Sequence, residues 1–277
     1  MKTLIALALA ITTLGATTNA NAQGQYANVN GIRMYYEIHG SGRPLVLIHG
    51  GGSTIHTNFG VVMPMFARGH RVIAVELQAH GHTSDRGVPS SFQQDADDVA
   101  ELLKQLNIAS ADVFGFSNGG QTAMELAMRH PDRVRKLVLA STFTKKSGVP
   151  AAFWGMMNGA KFSDMPQVYK DEFRRINRDP AALMTMFTRD SHRMETFTGW
   201  SDDAIRSITA PSLVVAGDRD VLTPEHAVEM SHLLPHARLV ILPSAHGTYL
   251  GEIATAVPGS KLPALFVDVV NEFLAAP

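Results

Sequence analysis

The stretch that decides the fold is Gly115-Phe116-Ser117-Asn118-Gly119-Gly120. It ends the apolar run 111–116, which predicts a buried strand, and it opens an amphipathic run that predicts a helix. A serine at such a sharp strand-to-helix turn has a strained backbone, and small residues two positions before and after it prevent steric clashes. Gly115 and Gly119 occupy those positions. We therefore predict that the hydroxyl of Ser117 projects from the sheet beside the N-terminal amides of the helix.

A glycine run upstream predicts a second part of the same site. Leu47-Ile48-His49-Gly50-Gly51-Gly52 ends another predicted strand. Glycines let the backbone approach a substrate closely, and an amide here could pair with the amide of Asn118 to bind the oxyanion of a tetrahedral intermediate. Gly51 is the preferred donor, and a slip of one residue would make Gly52 the donor instead. Taken alone, the run is more typical of a tight turn.

A carboxylate and an imidazole follow the last two predicted strands. Gly217-Asp218-Arg219-Asp220 comes after the strand at 211–216, and Leu242-Pro243-Ser244-Ala245-His246-Gly247 comes after the strand at 237–242. A neutral imidazole can take the proton of a serine, and a carboxylate can orient that ring and offset the charge it acquires. We therefore predict Ser117 as nucleophile, His246 as base and an aspartate of the first segment as the orienting acid.

Strand-like and helix-like runs alternate along the chain, a pattern that predicts a mostly parallel sheet with helices on both faces. A hairpin around Gly31 predicts an antiparallel start. The predicted strands lie at 25–30, 32–39, 44–49, 71–77, 111–116, 136–140, 211–216 and 237–242, and the predicted helices at 58–68, 92–107, 118–130, 224–234 and 262–274.

One region interrupts this alternation. Residues 142–208 contain no convincing strand but many methionine and aromatic residues at helical spacing, which predicts a helical cap inserted into a core formed by residues 23–141 and 209–277. Flexible thioether and aromatic side chains are suited to an adaptable apolar pocket, although each one could equally pack inside the cap. The predicted substrate contacts are Gly52, His56, Trp154 and Met157.

On these three motifs, residues 24–276 resemble the α/β-hydrolase superfamily, specifically the small capped esterases, lactonases and haloperoxidase-like hydrolases. The resemblance implies that Asp220, rather than Asp218, is the acid. A serine at the elbow argues against the haloalkane dehalogenase and epoxide hydrolase branches, which use an aspartate there. The chain departs from the family pattern at Glu76, where an aspartate is usual, and at Ala79, where a glycine is usual.

The function implied by the resemblance is hydrolysis of a carboxylic ester or lactone of a small, largely apolar substrate through an acyl-enzyme, without a cofactor. Hydrolysis of carbon-carbon or amide bonds and perhydrolysis remain alternatives. A different class of function is a ligand receptor of this fold with slow turnover. His80 and His82, with only Asp85 nearby, do not form a metal-ligand set, and the acidic group at 95–98 is interpreted as a solvated helix start.

The amino-terminal residues predict export. Lys2, an apolar run over 4–14 and Ala20-Asn21-Ala22 form a signal peptide over residues 1–22, so the mature chain would begin near Gln23 in the periplasm or outside the cell. The net charge of −1 gives no basic surface for nucleic acid, and the absence of cysteine excludes disulfides. The expected partner is a small-molecule substrate, without a membrane anchor after the leader is removed. The oligomeric state is left open.

Overall fold

The structure is a computed structural model that describes residues 24–277. The predicted leader, and with it the prediction of export, lies outside the described residues. Eight strands in this part of the chain form one sheet: β1 (Gln25–Val29), β2 (Ile32–His39), β3 (Arg43–Ile48), β4 (His70–Val75), β5 (Ala111–Phe116), β6 (Val134–Ala140), β7 (Ser212–Arg219) and β8 (Ala237–Ala245).

The strand order is β1-β2-β4-β3-β5-β6-β7-β8. β1 and β2 pair antiparallel, β2 pairs antiparallel with β4, and from β4 onward every neighbouring pair is parallel. The predicted mostly parallel sheet with an antiparallel start is therefore confirmed. Because parallel strands end at the same edge, the carboxyl ends of β3, β5, β7 and β8 bring the three motifs together.

Alternating apolar side chains explain why the sheet is covered on both faces. Along β3, Val46 and Ile48 enter one apolar core and Leu45 and Leu47 enter the other, and all four are fully buried. Side chains alternate with a period of two along a strand, so a continuous apolar run has to be covered on both sides. Burying each such side chain stabilises the fold by about 1.5–3 kcal/mol.

The helices that cover the sheet are α1 (Ile55–Phe59), α2 (Met63–Phe66), α3 (Phe92–Gln105), α4 (Asn118–Arg129), α9 (Pro224–Leu233) and α10 (Leu262–Ala275), and those between β6 and β7 are α5 (Ala151–Met157), α6 (Gln167–Ile176), α7 (Pro180–Glu195) and α8 (Asp202–Arg206). The single helix predicted at 58–68 is wrong: α1 ends at Phe59 and α2 begins at Met63, with Pro64 in its first turn. Proline has no amide hydrogen and fits the start of a helix rather than its interior.

The segment between β6 and β7 consists of helices and loops. Within this segment Phe173, Leu183 and Met186 form a small apolar cluster that is separate from the two main cores. No strand occurs between residues 141 and 211. We call this segment the cap. No helix within residues 24–277 has both the length and the apolar character needed to cross a bilayer.

Candidate active site

The turn between β5 and α4 holds Ser117 in a strained backbone conformation. Its φ of 52° and ψ of −123° lie outside the regions that ordinary residues favour, and its amide donates to the carbonyl oxygen of Ala140 at 2.9 Å. A Cβ atom on Gly119 would lie 2.1 Å from the carbonyl oxygen of Ile48, and one on Gly115 would lie 2.2 Å from that of Gly119. Only glycine fits at these two positions, which is the steric reason for the spacing in the sequence.

His246 and Asp220 form a hydrogen-bonded pair at the ends of β8 and β7. The distance between His246 Nδ1 and Asp220 Oδ1 is 2.6 Å. Because an ionised carboxylate only accepts, Nδ1 carries the hydrogen and the opposite ring nitrogen, Nε2, is left to accept a proton. The imidazole packs against the ring of Phe116, which directly precedes Ser117, with 4.9 Å between the ring centroids. The pair therefore lies beside the serine turn.

Four donors hold Asp220. Besides His246, the amides of Val221 and Gly217 donate to it at 2.7 and 2.9 Å, and the Ser141 hydroxyl donates at 2.5 Å. Burial alone would raise the pKa of Asp220, but the hydrogen bond and charge of His246, with the other donors, hold it below its usual value. The carboxylate therefore stays ionised at neutral pH.

The structure distinguishes Asp220 from Asp218, the other aspartate of the same segment. Asp218 is exposed and accepts from the amide of Ser244 at 2.8 Å, away from the imidazole. Behind Asp220, the hydroxyls of Ser141 and Tyr249 are 2.6 Å apart, and Tyr249 is fully buried. The sequence carried no signal for Ser141 and Tyr249, because neither belongs to a motif.

The glycine run after β3 offers one uncommitted amide. The Gly50 amide donates to Asn58 Oδ1 at 2.7 Å, and the Gly52 amide donates to Asp190 Oδ2 at 2.5 Å. Among the described residues, neither the amide of Gly51 nor that of Asn118, the first residue of α4, makes a hydrogen bond. Of the two donors considered from the sequence, Gly51 is thus the one whose amide can turn to a ligand. Because the sequence predicts an oxyanion donor here, we call residues 50–54 the oxyanion loop.

A cavity of about 300 Å³ opens between the serine turn, the oxyanion loop and the cap. Most of its wall is apolar and comes from the cap, as expected for a small-molecule site. Its lining residues are Gly51, Gly52, Ser117, Asn118, Phe153, Met156, Met157, Ala160, Lys161, Asp164, Met165, Pro166, Tyr169, Met186, Phe187, Asp190, Ser191 and Met194. The cavity thus includes Gly52 and Met157 of the predicted substrate contacts.

Two predicted substrate contacts lie outside the cavity wall. Trp154 faces the core, where its indole N–H donates to the carbonyl oxygen of Lys146 at 2.8 Å and its ring stacks on Phe197 at 6.0 Å. His56 lies on the outer side of α1, and its Nε2 is 3.0 Å from Glu37 Oε1. The indole N–H of Trp154 and the imidazole of His56 each have a protein partner, and these partners turn both side chains away from the cavity. The sequence could not show which side of its helix would face the cavity.

Asp190, which the sequence reasoning missed, reaches the site from α7. Its Oδ2 accepts from Gly52 and lies 2.9 Å from Nε2 of His80, and its Oδ1 accepts from Nη2 of Arg193 at 2.6 Å. Arg193 Nη1 donates to Asp95 at 2.6 Å. Burial raises the pKa of Asp95 to about 6, whereas His80 and Arg193 hold the pKa of Asp190 well below its usual range, despite burial.

This network corrects the interpretation of the acidic residues 95–98 as solvated. Asp95 and Asp98 are almost fully buried, because Arg193 pairs with the first and Arg86, at 2.6 Å, pairs with the second. Asp97 alone is partly exposed and pairs with Arg129. Within residues 24–277 no group of three His, Cys, Asp or Glu side chains is arranged to hold a metal ion.

The cap also contacts the loop that carries His246. The Tyr169 hydroxyl of α6 donates to Glu252 Oε1 at 2.6 Å, and the other oxygen of Glu252 accepts from the amide of Ala254 and from the hydroxyl of Thr255. The single hydrogen of the Thr255 hydroxyl is shared between Glu252 and the carbonyl oxygen of His246, which lies 3.1 Å from the hydroxyl oxygen. The cap therefore contacts both the oxyanion loop and the loop that carries His246.

Comparison with known proteins agrees with this architecture. A family model described as the alpha/beta hydrolase fold matches residues 43–202. The chain is 27% identical to a 2-hydroxymuconate semialdehyde hydrolase of Pseudomonas sp. (strain CF600), over 95% of this chain and 97% of that protein. It is 29% identical to a pimeloyl-[acyl-carrier protein] methyl ester esterase of Nitrosomonas europaea, over 78% and 94%. A solved structure of an N-acyl homoserine lactone degrading enzyme superposes with a TM-score of 0.70 at 25% identity, over 90% and 100%.

Proposed function

Because the chain belongs to the alpha/beta hydrolase fold family, we propose that it is a serine hydrolase that cleaves a carboxylic ester or lactone of a small, largely apolar substrate. Ser117 is the nucleophile, His246 the base and Asp220 the residue that orients the imidazole. The observation that carries the proposal is the ionised Asp220 bonded to His246 Nδ1, beside the turn that holds a strained Ser117 in the wall of an apolar cavity.

The reaction proceeds in two halves. His246 Nε2 takes the proton of Ser117 while the hydroxyl oxygen attacks the carbonyl carbon, and the amides of Gly51 and Asn118 bind the oxyanion that forms. His246 then protonates the leaving alcohol, which departs and leaves an acyl-enzyme. A water molecule, deprotonated by His246, releases the acid and restores the serine. Each step needs Asp220 ionised, because the carboxylate stabilises the imidazolium between the proton transfers.

The apolar wall of the cavity supports an apolar substrate. Seven cap side chains, all methionine or phenylalanine, face Ser117 across the cavity: Phe153, Met156, Met157, Met165, Met186, Phe187 and Met194. Methionine adapts its shape at little cost, so these residues suit an acyl group or lactone ring of variable shape. Relatives that act on a methyl ester and on a lactone support the same bond class.

Ser117→Ala tests the proposal directly. We expect kcat on short p-nitrophenyl esters to fall by about 10⁴-fold or more, because the nucleophile and the base act as a unit. A fluorophosphonate probe is expected to label the wild-type chain at Ser117 and to leave the variant unlabelled. Wild-type activity in the variant would end the assignment. Labelling with only a single turnover would favour the receptor alternative, in which the ligand is bound but slowly released.

A second candidate is hydrolysis of a carbon-carbon bond, which the similarity to the 2-hydroxymuconate semialdehyde hydrolase over almost the whole chain favours. The same serine and histidine would serve, but the leaving group would be a carbanion that needs a proton. A panel of esters, lactones, amides and a ring-cleavage dienoate distinguishes the two. Higher kcat/KM for the dienoate than for every ester would replace the ester proposal.

We also propose that the protein is exported. The proposal is supported by the charged, apolar and small-residue regions of residues 1–22. Amino-terminal sequencing of the protein from a periplasmic or culture fraction is expected to begin near Gln23. Recovery of the chain from the cytoplasm with residues 1–22 still attached would contradict it.

A further inference from the structure

The cap contributes a carboxylate to the oxyanion loop. A Cβ atom built on Gly51 would lie 2.6 Å from Asn118 Nδ2 and 3.3 Å from Asp190 Oδ2, so both side chains occupy the space where a side chain of residue 51 would lie. The next amide, of Gly52, donates to the same carboxylate oxygen at 2.5 Å. Gly52 has a φ of +66°, in the left-handed region, and contributes no side chain that could fix the turn. The peptide between Gly51 and Gly52 is instead held at its amide by Asp190 and at its carbonyl oxygen by the Ser53 hydroxyl, which donates at 3.2 Å.

The partners of His80 define its protonation state. Its Nδ1 lies 2.8 Å from the carbonyl oxygen of Gln78 and its Nε2 lies 2.9 Å from Asp190 Oδ2. Both partners only accept hydrogen bonds, so both ring nitrogens carry hydrogen and the ring is an imidazolium. The adjacent His49 differs, because its Nε2 accepts from the amide of Leu77 and so carries no hydrogen.

Two cations therefore hold the Asp190 carboxylate in one orientation. His80 binds Oδ2 and Arg193 binds Oδ1, and both cations are almost fully buried. Charge-assisted hydrogen bonds between buried partners are stronger and more directional than neutral ones. They also offset a negative charge that would otherwise oppose the oxyanion forming at the Gly51 amide.

We propose that Asp190 is a positioning residue of the oxyanion hole: from the cap, it fixes the Gly52 amide and thereby aims the Gly51 amide at the reacting carbonyl. The inference rests on the proposed serine hydrolase mechanism and extends it to a residue on the cap. Asp190 touches neither a proton in transfer nor the attacked carbon, and its effect passes through the backbone of residues 51 and 52. The contact that docks the cap on the core is thus the same contact that orders the oxyanion hole.

Arg189 provides a matched control, because it is the residue before Asp190 on α7 and also joins the cap to the core. Its guanidinium binds Asp85 through two hydrogen bonds of 3.1 and 2.7 Å, away from the oxyanion loop. Asp190→Ala is expected to lower kcat by about 30- to 100-fold with KM changed less than about threefold, somewhat below the loss of a whole oxyanion donor. Arg189→Ala is expected to keep kcat within about threefold of wild type.

The conservative variant Asp190→Asn separates positioning from simple support of the cap. One oxygen of the asparagine can still accept from the Gly52 amide, so we expect it to recover kcat to within about tenfold of wild type. A boronic acid that forms a tetrahedral adduct with Ser117 is expected to bind Asp190→Ala more weakly, in proportion to the loss of kcat. If Asp190→Ala does not fold, Asp190→Asn carries the kinetic test, with the boronic acid affinity falling in the same proportion as kcat.

Hydrogen-deuterium exchange of the peptide covering residues 50–54 gives a readout that needs no turnover. Exchange is expected to be faster in Asp190→Ala and in Asp190→Asn than in wild type, and unchanged in Arg189→Ala. Equal exchange in all four proteins, or a kcat for Asp190→Ala within twofold of wild type, would overturn the positioning role. If the wild-type chain shows no turnover, or turnover that Ser117→Ala does not abolish, the proposed function is refuted instead. The exchange data would still decide whether Asp190 holds residues 50–54.

Discussion

Two histidine and aspartate pairs lie at this site, and they differ in the hydrogen-bond partners of their rings. In the pair of His246 and Asp220, one ring nitrogen binds the carboxylate and the other has no protein partner among the described residues. In the pair of His80 and Asp190, both ring nitrogens are bound. A ring with a free nitrogen can move a proton, whereas a ring with two acceptors can only hold a charge.

Exposure reinforces this difference. The side chain of His246 is 30% exposed, whereas that of His80 is 1% exposed. Solvent therefore reaches the first ring, while the second is enclosed by protein. Under the proposed mechanism the same two residue types serve as a proton relay in one place and as an anchor in the other, and the neighbouring hydrogen-bond partners decide which.

The largest expected difference between the two pairs is the loss of kcat when each histidine is replaced by glutamine. His246→Gln is expected to lower kcat by about 10⁴-fold or more, because the base is lost. His80→Gln is expected to lower kcat by only about tenfold, because glutamine still donates to Asp190 but carries no charge. The melting temperature should fall for the second variant and stay near wild type for the first. Equal losses of kcat would remove the distinction between relay and anchor.

The arginines of α7 offer a test of stability. Arg193→Met should destabilise the protein by about 3–5 kcal/mol, because it leaves Asp95 buried without its cation and Asp190 paired with His80 alone. Arg189→Met should cost at most about 1 kcal/mol, because its pair with Asp85 is partly exposed. Urea unfolding followed by circular dichroism measures both free energies. A similar, small loss in both variants would show that the buried network does not anchor the cap.

The smallest expected effect is a dependence of stability on pH. Burial would lower the pKa of His80, but the charge and hydrogen bond of Asp190 raise it above its usual value, against the opposing charge of Arg193. The folded protein therefore keeps this proton to higher pH than the unfolded chain. The stabilisation is complete below the unfolded value of about 6.5 and is lost as the pH rises through the folded one.

The measurement is the free energy of urea unfolding from pH 6 to 9 in wild type and His80→Gln. The wild-type stability should decline over this range more steeply than that of the variant. The raised pKa of Asp95, about 6, lies at the lower end of this range, but Asp95 is present in both proteins, so the comparison is read above pH 7, where this carboxylate is ionised in both. The neighbouring His49, whose pKa burial lowers to about 3, stays neutral throughout. Parallel curves for the two proteins would contradict a charged His80.

Much of the fold followed from local patterns in the sequence. The glycines around Ser117 exclude other residues by direct contact with neighbouring backbone, so a short motif was enough to predict the strand, the turn and the helix. Apolar runs predicted the strands of the sheet for a similar reason, because a strand buried on both faces needs apolar residues throughout. Ala79, which stands where the family pattern has glycine, has a φ of 65°, in the left-handed region that favours glycine.

The tertiary structure decided how distant groups pair. Asp190 is separated from Gly52 by 138 positions and from His80 by 110, and no periodicity links residues that far apart. The sequence by itself determined the three motifs, their order and the class of fold, because those depend on contacts between near neighbours in the chain. Which amide stays unbound and which histidine keeps a free nitrogen depend on the docking of the cap against the sheet, so only the folded molecule could decide them.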